Sequence, residues 1–151
     1  MRVLRASLLA VLILMPGLAR AEGYGELLSP LPDGPPRHLV VARPDVDCST
    51  PTAYAALDRQ EYLWRGWPDG EELYNDFERV APQSCKDLSL AMVRLGADGS
   101  LLCGSGSAVF GLFADERVAQ AAAARRRSEL VPQAWVTRTL SRAESSSLRR
   151  I

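Results

Sequence analysis

Leu88-Ser-Leu-Ala-Met-Val-Arg-Leu-Gly-Ala-Asp-Gly-Ser-Leu-Leu-Cys-Gly-Ser-Gly-Ser-Ala-Val-Phe-Gly-Leu-Phe113 is the stretch that sets the fold. Two apolar runs flank Gly96-Ala97-Asp98-Gly99, and an Asp-Gly pair between runs of strand length is a strong local signal for a β-hairpin. Residues 88–113 are therefore expected to form the central hairpin of an antiparallel sheet, with Leu95 opposite Ser100 and Cys103 level with Ala91 or Met92. The glycines of Gly104-Ser105-Gly106-Ser107 then serve to bend or bulge the second strand, or to let it pass close under a helix.

Working outward toward the C-terminus, Ala114-Asp115-Glu116 places acidic side chains at the start of a helix and Arg125-Arg126-Arg127 near its end, both favourable for the macrodipole. Val118 and Ala121–Ala124 are the packing surface expected of this Ala-rich helix. Trp135–Leu140 reads as a last strand. Ser141-Arg142-Ala143-Glu144 has the form of a capping box, so the tail at 141–151 is expected to hold a short helix or to fray.

Toward the N-terminus, His38–Ala42 is a short β-branched run and reads as a first strand. Thr50-Pro51 supplies an N-cap and a proline at the first helical position. Ala53, Ala56, Leu57, Leu63 and Trp64 then share one helical face, up to Gly66. After the turn Trp67-Pro68-Asp69-Gly70, a second helix is expected through Leu73, Tyr74, Phe77 and Val80, ending before Pro82. Two antiparallel helices bring Cys48 and Cys85 to the same end of the pair, so a Cys48–Cys85 disulfide is the expected covalent closure, with Cys103 as the odd cysteine. Cys85–Cys103 fits poorly, since Cys85 would lie beyond the hairpin ladder.

The fold expected is thus α+β: a small single domain at 37–140, with an antiparallel sheet around the 88–113 hairpin, a disulfide-closed helical pair and one Ala-rich helix. The first 21 residues look like a signal peptide, with basic Met1–Arg5, an apolar run from Ala6 to Leu18, and the small-x-small site Ala19-Arg20-Ala21 before Glu22. Residues 22–36, rich in proline and glycine, read as an extended arm. These features point to a periplasmic or secreted location and an oxidising compartment, where a disulfide persists.

Charge excludes one class of function. Loss of Met1–Ala21 takes three of the 18 basic residues and none of the 18 acidic ones, leaving about −3, and nothing suggests nucleic acid. Glu22–Glu116 carries 7 basic and 16 acidic residues, whereas Arg117–Ile151 carries 8 basic and 2 acidic, so the C-terminal segment can meet an acidic partner or an anionic membrane surface.

Chemistry is sparser. Gly104-Ser105-Gly106-Ser107-Ala108 lacks the second glycine of a nucleophile elbow, and His38 is the only histidine available as a base. Tyr54, Tyr62, Trp64, Trp67, Tyr74 and Phe77 are six of the ten aromatics, interleaved with Asp58, Glu61, Asp69, Glu71, Glu72, Asp76 and Glu78. Aromatic faces stack on sugars or act as protein hot spots. The function expected is therefore an exported bacterial envelope protein. It is read as a non-catalytic binding, accessory or inhibitor-type module that holds an envelope protein or cell-wall glycan through Tyr62, Trp64, Trp67 and Tyr74. The alternative is a small secreted hydrolase, either glycan-directed through Glu61, Glu71 and Glu72 or thiol-dependent through Cys103 with His38. No motif calls for a metal or a cofactor.

Overall fold

The computed structural model describes residues 18–22, 27–60, 73–129 and 133–148. Their elements in chain order are β1 (Ala19–Glu22), β2 (Leu27–Pro30), β3 (His38–Arg43), α1 (Thr50–Asp58), a 3₁₀ turn (Asp76–Arg79), α2 (Gln83–Arg94), β4 (Gly99–Leu102), β5 (Val109–Phe113), α3 (Glu116–Glu129), β6 (Gln133–Arg138) and α4 (Arg142–Leu148). Two compact units arise, one from residues 37–137 and the other from the two ends of the chain.

The larger unit is a four-stranded sheet in the order β4-β5-β3-β6, with β5 antiparallel to both β3 and β4. Burial alternates along β5 with the period of two that a pleated strand imposes, so Val109, Gly111 and Phe113 face inward together with Val40 and Ala42 of β3. Helices α2 and α3 close this face with Cys85, Leu88 and Met92 from the former and Ala119, Ala122 and Ala123 from the latter. Small residues on α3 allow a close approach to the strands. Gly111 does the same on β5: a Cβ there would lie 3.1 Å from the Met92 Cβ and 3.3 Å from the Ala97 Cβ.

The α+β class and the antiparallel sheet are as the sequence indicates, but the hairpin is displaced. Residues 83–94 are helical, and Leu88 and Met92, four apart, are buried while Leu90 and Val93 stand exposed. Gly96, with φ +96°, ends this helix rather than turning a hairpin. The Gly96 N–H donates to the Val93 carbonyl at 3.0 Å and the Ala97 N–H to the Met92 carbonyl at 3.1 Å, the paired bonds of a Schellman cap. The true hairpin is β4–β5, with Leu102 opposite Val109, and its connection is the six residues from Cys103 to Ala108.

The helical pair is also corrected. α1 starts where the sequence indicates, with Pro51 in its first turn, but its N-cap is Ser49 and not the expected Thr50, and it has reached its C-cap by Arg59. Phe77 lies in a single 3₁₀ turn, not a second long helix, and its ring meets Tyr54 edge-on with centroids 4.9 Å apart. Cys48, Cys85 and Cys103 are free thiols, so the disulfide-closed pair does not stand. Burial, and then the Cys48 thiol beside it, push the Cys85 thiol up to about 11. Burial also raises that of Cys103.

In the smaller unit β1 and β2 form an antiparallel hairpin, with Ala21 opposite Leu28. Asp33 then joins the unit's parts, its carboxylate accepting from the Leu18 N–H at 3.4 Å and from the Arg142 N–H at 2.8 Å. The latter bond puts a carboxylate at the start of α4, where the helix dipole favours it. Ser141 and Glu144 form the expected capping box: Glu144 Oε2 accepts from the Ser141 N–H at 2.9 Å, and the Glu144 N–H donates to Ser141 Oγ at 3.3 Å. Among the described residues no helix is long and apolar enough to cross a membrane.

Candidate functional site

The Cys103–Ala108 connection is shaped by glycine at both of its tight points. Gly104 and Gly106 have φ of +54° and +92°, a region that side chains rarely occupy. Space restricts Gly106 as well, because a Cβ there would lie 3.1 Å from Cys48 Sγ and 3.2 Å from Leu102 Cδ1. The turn is closed internally by the Cys103 N–H to the Ala108 carbonyl at 2.8 Å and by the Gly106 N–H to the Cys103 carbonyl at 2.9 Å.

Three other elements grip it. Arg43, at the end of β3, directs its guanidinium at the turn, with Nε 3.3 Å from Ser107 Oγ, while its Nη2 meets Asp47 at 2.9 Å. Thr50, the first residue of α1, shares a hydroxyl hydrogen bond of 2.8 Å with Ser105. Asn75 donates from Nδ2 to the carbonyls of Leu102 and Gly104 at 2.9 and 2.8 Å. Beneath the turn, the Cys85 thiol donates to the Ser107 carbonyl at 3.5 Å.

Arg43, Asp47, Cys48, Ser49, Gly106, Ser107 and Ala108 line an open cleft of about 500 Å³. Its donors are the Arg43 guanidinium, part of whose fork is taken by the Asp47 carboxylate that also lines the cleft, the serine hydroxyls and the N-terminus of α1, whose N-cap Ser49 makes no side-chain capping bond. Such a set suits the oxygens of a phosphate group. It does not suit nucleophilic catalysis, because His38 pairs with Phe113 at one end of the sheet while Cys103 follows Leu102 at the other. Five residues of strand, roughly 16 Å, separate those levels, so a thiol–imidazole pair is ruled out.

Of the remaining residues expected to carry function, Tyr62, Trp64, Trp67, Glu61, Glu71 and Glu72 lie outside the described residues. Tyr74 is exposed and its hydroxyl donates to Asp76 at 2.6 Å. Among the described residues no three His, Cys, Asp or Glu side chains converge as a metal site would require. Sequence reasoning passed over Arg43, Thr50, Asn75 and Ser107. The one signal in the sequence is the Gly-Ser-Gly-Ser turn itself, whose glycines fit a cradle as well as a strand bend.

Residues 88–131 match the family model described as GHMP kinases C terminal. The match begins in α2 and takes in the turn and β5. Over 146 residues the chain is 34% identical to a 4-diphosphocytidyl-2-C-methyl-D-erythritol kinase of Desulfitobacterium hafniense, covering 83% of this chain and 49% of that enzyme. A kinase of the same name from Symbiobacterium thermophilum is 36% identical over 141 residues, covering 81% of this chain and 49% of its own. The crystal structure of a 4-(cytidine 5'-diphospho)-2C-methyl-D-erythritol kinase superposes with a TM-score of 0.63 at 30% identity, over 80% of this chain and 48% of that one. A homoserine kinase from Cytophaga hutchinsonii shares the fold, with a TM-score of 0.60 at 18% identity. The chain spans about half the length of the relatives it matches.

These similarities overturn the functional reading of the sequence. The relatives are enzymes, and GHMP-type kinases rather than glycan or thiol hydrolases, so neither the non-catalytic envelope module nor the secreted hydrolase stands. The periplasmic or secreted location falls with it, because the relatives are small-molecule kinases and not exported envelope proteins. Of the aromatic cluster's described members, Tyr54 and Phe77 pack edge to face while Tyr74 stands exposed.

Proposed function

We propose that this chain provides the C-terminal part of a GHMP-type kinase whose phosphoryl acceptor is a cytidine-diphosphate-linked polyol, the substrate class named for its relatives. Within it, the Gly104–Ala108 turn, Arg43 and the start of α1 hold an anionic oxygen group of a nucleotide or of the acceptor. Phosphoryl transfer needs little covalent work from a protein. It needs positioning and charge stabilisation, which hydroxyls, backbone at a glycine turn and a guanidinium provide.

The observation that carries the reading is the convergence of Arg43, Ser107, Ser105 and Thr50 around one glycine-shaped turn, of which the turn itself lies in the segment that matches the kinase family. The test pairs the chain with the N-terminal half of the Desulfitobacterium enzyme and follows nucleoside-triphosphate-dependent phosphorylation of 4-diphosphocytidyl-2-C-methyl-D-erythritol. Turnover with the pair and none with either part alone is the expected result. No turnover from the pair, together with no binding of cytidine diphosphate by this chain, would overturn the proposal.

A further inference from the structure

Asn75 occupies an unusual place between two elements. It precedes the 3₁₀ turn Asp76–Arg79 and caps it, its Oδ1 accepting from the Phe77 N–H at 3.0 Å. The other end of the same amide faces away from that turn, and Nδ2 spends both its protons on the carbonyls of Leu102 and Gly104, at 2.9 and 2.8 Å. Three of the four hydrogen-bonding positions of one side chain are thus engaged, two of them on either side of Cys103.

The reason lies in the sheet. Among the described residues β4 is an edge strand, paired on one side with β5 alone. Cys103 turns its N–H toward the Ala108 carbonyl, so the neighbouring Leu102 turns its own N–H and carbonyl the other way, to the open edge. An edge leaves such groups without a strand partner. Here side chains stand in for one: Asn75 takes the Leu102 carbonyl, and Glu78, three residues on, accepts from the Leu102 N–H at 3.2 Å. Asn75 then reaches one step further, to the Gly104 carbonyl, where the backbone leaves the strand and enters the glycine turn.

We infer that Asn75 is a positioning residue for the phosphate-binding turn, a clamp that fixes the exit of β4 and with it the placement of Ser105 and Ser107. The role rests on the function proposed above, but the clamp itself has a readout that needs no ligand. Asparagine is the residue for this task because it carries a cap acceptor and a two-proton donor on one rigid plane. Aspartate keeps the cap and loses the donor, setting a carboxylate oxygen against two carbonyl oxygens. Alanine loses both.

The two variants therefore separate a clamp from a cap. In the full chain, Asn75→Asp should speed amide hydrogen exchange at Ser105 and Gly106 by about tenfold and weaken cytidine diphosphate binding by about the same factor, at least as much as Asn75→Ala does. Exchange in α2 and β5 should stay as it is in the unmodified chain. If Asn75 only caps the 3₁₀ turn, the order reverses: the aspartate variant behaves as the unmodified chain and the alanine variant alone is disturbed, which overturns the inference. Should the unmodified chain take up no cytidine diphosphate, the phosphate-binding reading falls. Faster exchange in Asn75→Asp would still establish the clamp, and unchanged exchange would remove it.

Discussion

Arg43 at the end of β3 and Ser107 in the turn before β5 are joined by a hydrogen bond from Nε to Oγ of 3.3 Å, across 64 residues of sequence. The bond sets the guanidinium over the mouth of the cleft, while the rest of its fork rests on Asp47, whose side chain is 98% exposed. An exposed i,i+4 pair of this kind contributes roughly 0–1 kcal/mol to folding, so removing the guanidinium should leave the fold almost as stable.

Replacing Arg43 by alanine should therefore weaken cytidine diphosphate binding by about tenfold or more, or about 1.4 kcal/mol, with little change in the unfolding midpoint. Arg43→Lys should recover only part of the loss, because an ammonium cannot reproduce the fork. Calorimetric titration of both variants checks this, and unaltered affinity in Arg43→Ala would remove the guanidinium from the site.

The assignment of residues 83–94 to a helix makes a prediction that a strand could not share. In a strand Leu88, Leu90 and Met92 would line one face; in α2 Met92 is fully buried and Leu90 is 56% exposed. Met92→Ala should cost about 2–5 kcal/mol by chemical denaturation, while Leu90→Ala stays within about 0.5 kcal/mol. Comparable losses at both positions would contradict the helix.

The same residues show what was legible in the sequence and what was not. The β3 run His38–Arg43, the start of α1 at Thr50 and Pro51, and the Asp115-led start of α3 were readable because each depends on local chemistry: β-branched residues, a proline in the first turn, a carboxylate accepting from the Arg117 and Val118 N–H groups. The displaced hairpin was not readable in that way. Gly96 with positive φ closes a helix as well as it turns a hairpin, and only the tertiary contact of Met92 over Gly111 decides between them. The site is less local still, since Arg43, Thr50, Asn75 and Ser107 come from four separate segments that the sheet order brings together.

Cys48 and Cys85 are neighbours, as the order of elements along the chain implies, but as thiols. Cys85 is 1% exposed and carries a thiol pushed up to about 11 by burial and by Cys48. A raised value in the folded chain means stability that is complete below the ordinary thiol range near 9.0 and declines as pH rises from there through about 11. Iodoacetamide at pH 8 should accordingly modify Cys85 last in the native chain, and all three cysteines after unfolding without reductant, as read by peptide mass spectrometry. A Cys85 that resists alkylation in the unfolded, unreduced chain would show a disulfide in place of the free thiols.

Acid should loosen α4 through Glu144. Its carboxylate accepts from Arg138 Nη2 at 2.7 Å and from the Ser141 N–H and hydroxyl at 2.9 and 3.0 Å, and these bonds, Arg138 first, hold it down at about 2. The value in the folded chain lies below that of the unfolded one, so the carboxylate's contribution is complete above the ordinary range near 4.5 and lost as pH falls through about 2. Amide exchange across residues 142–148 should rise over that window, ahead of exchange in α2. Glu144→Gln keeps a side chain that can close the capping box but has no charge to titrate, so its exchange in α4 should be faster at neutral pH and flat over the same acid range. An acid transition in α4 of equal size in the variant would assign the effect to another carboxylate, with Asp33 at the start of the helix the first to substitute.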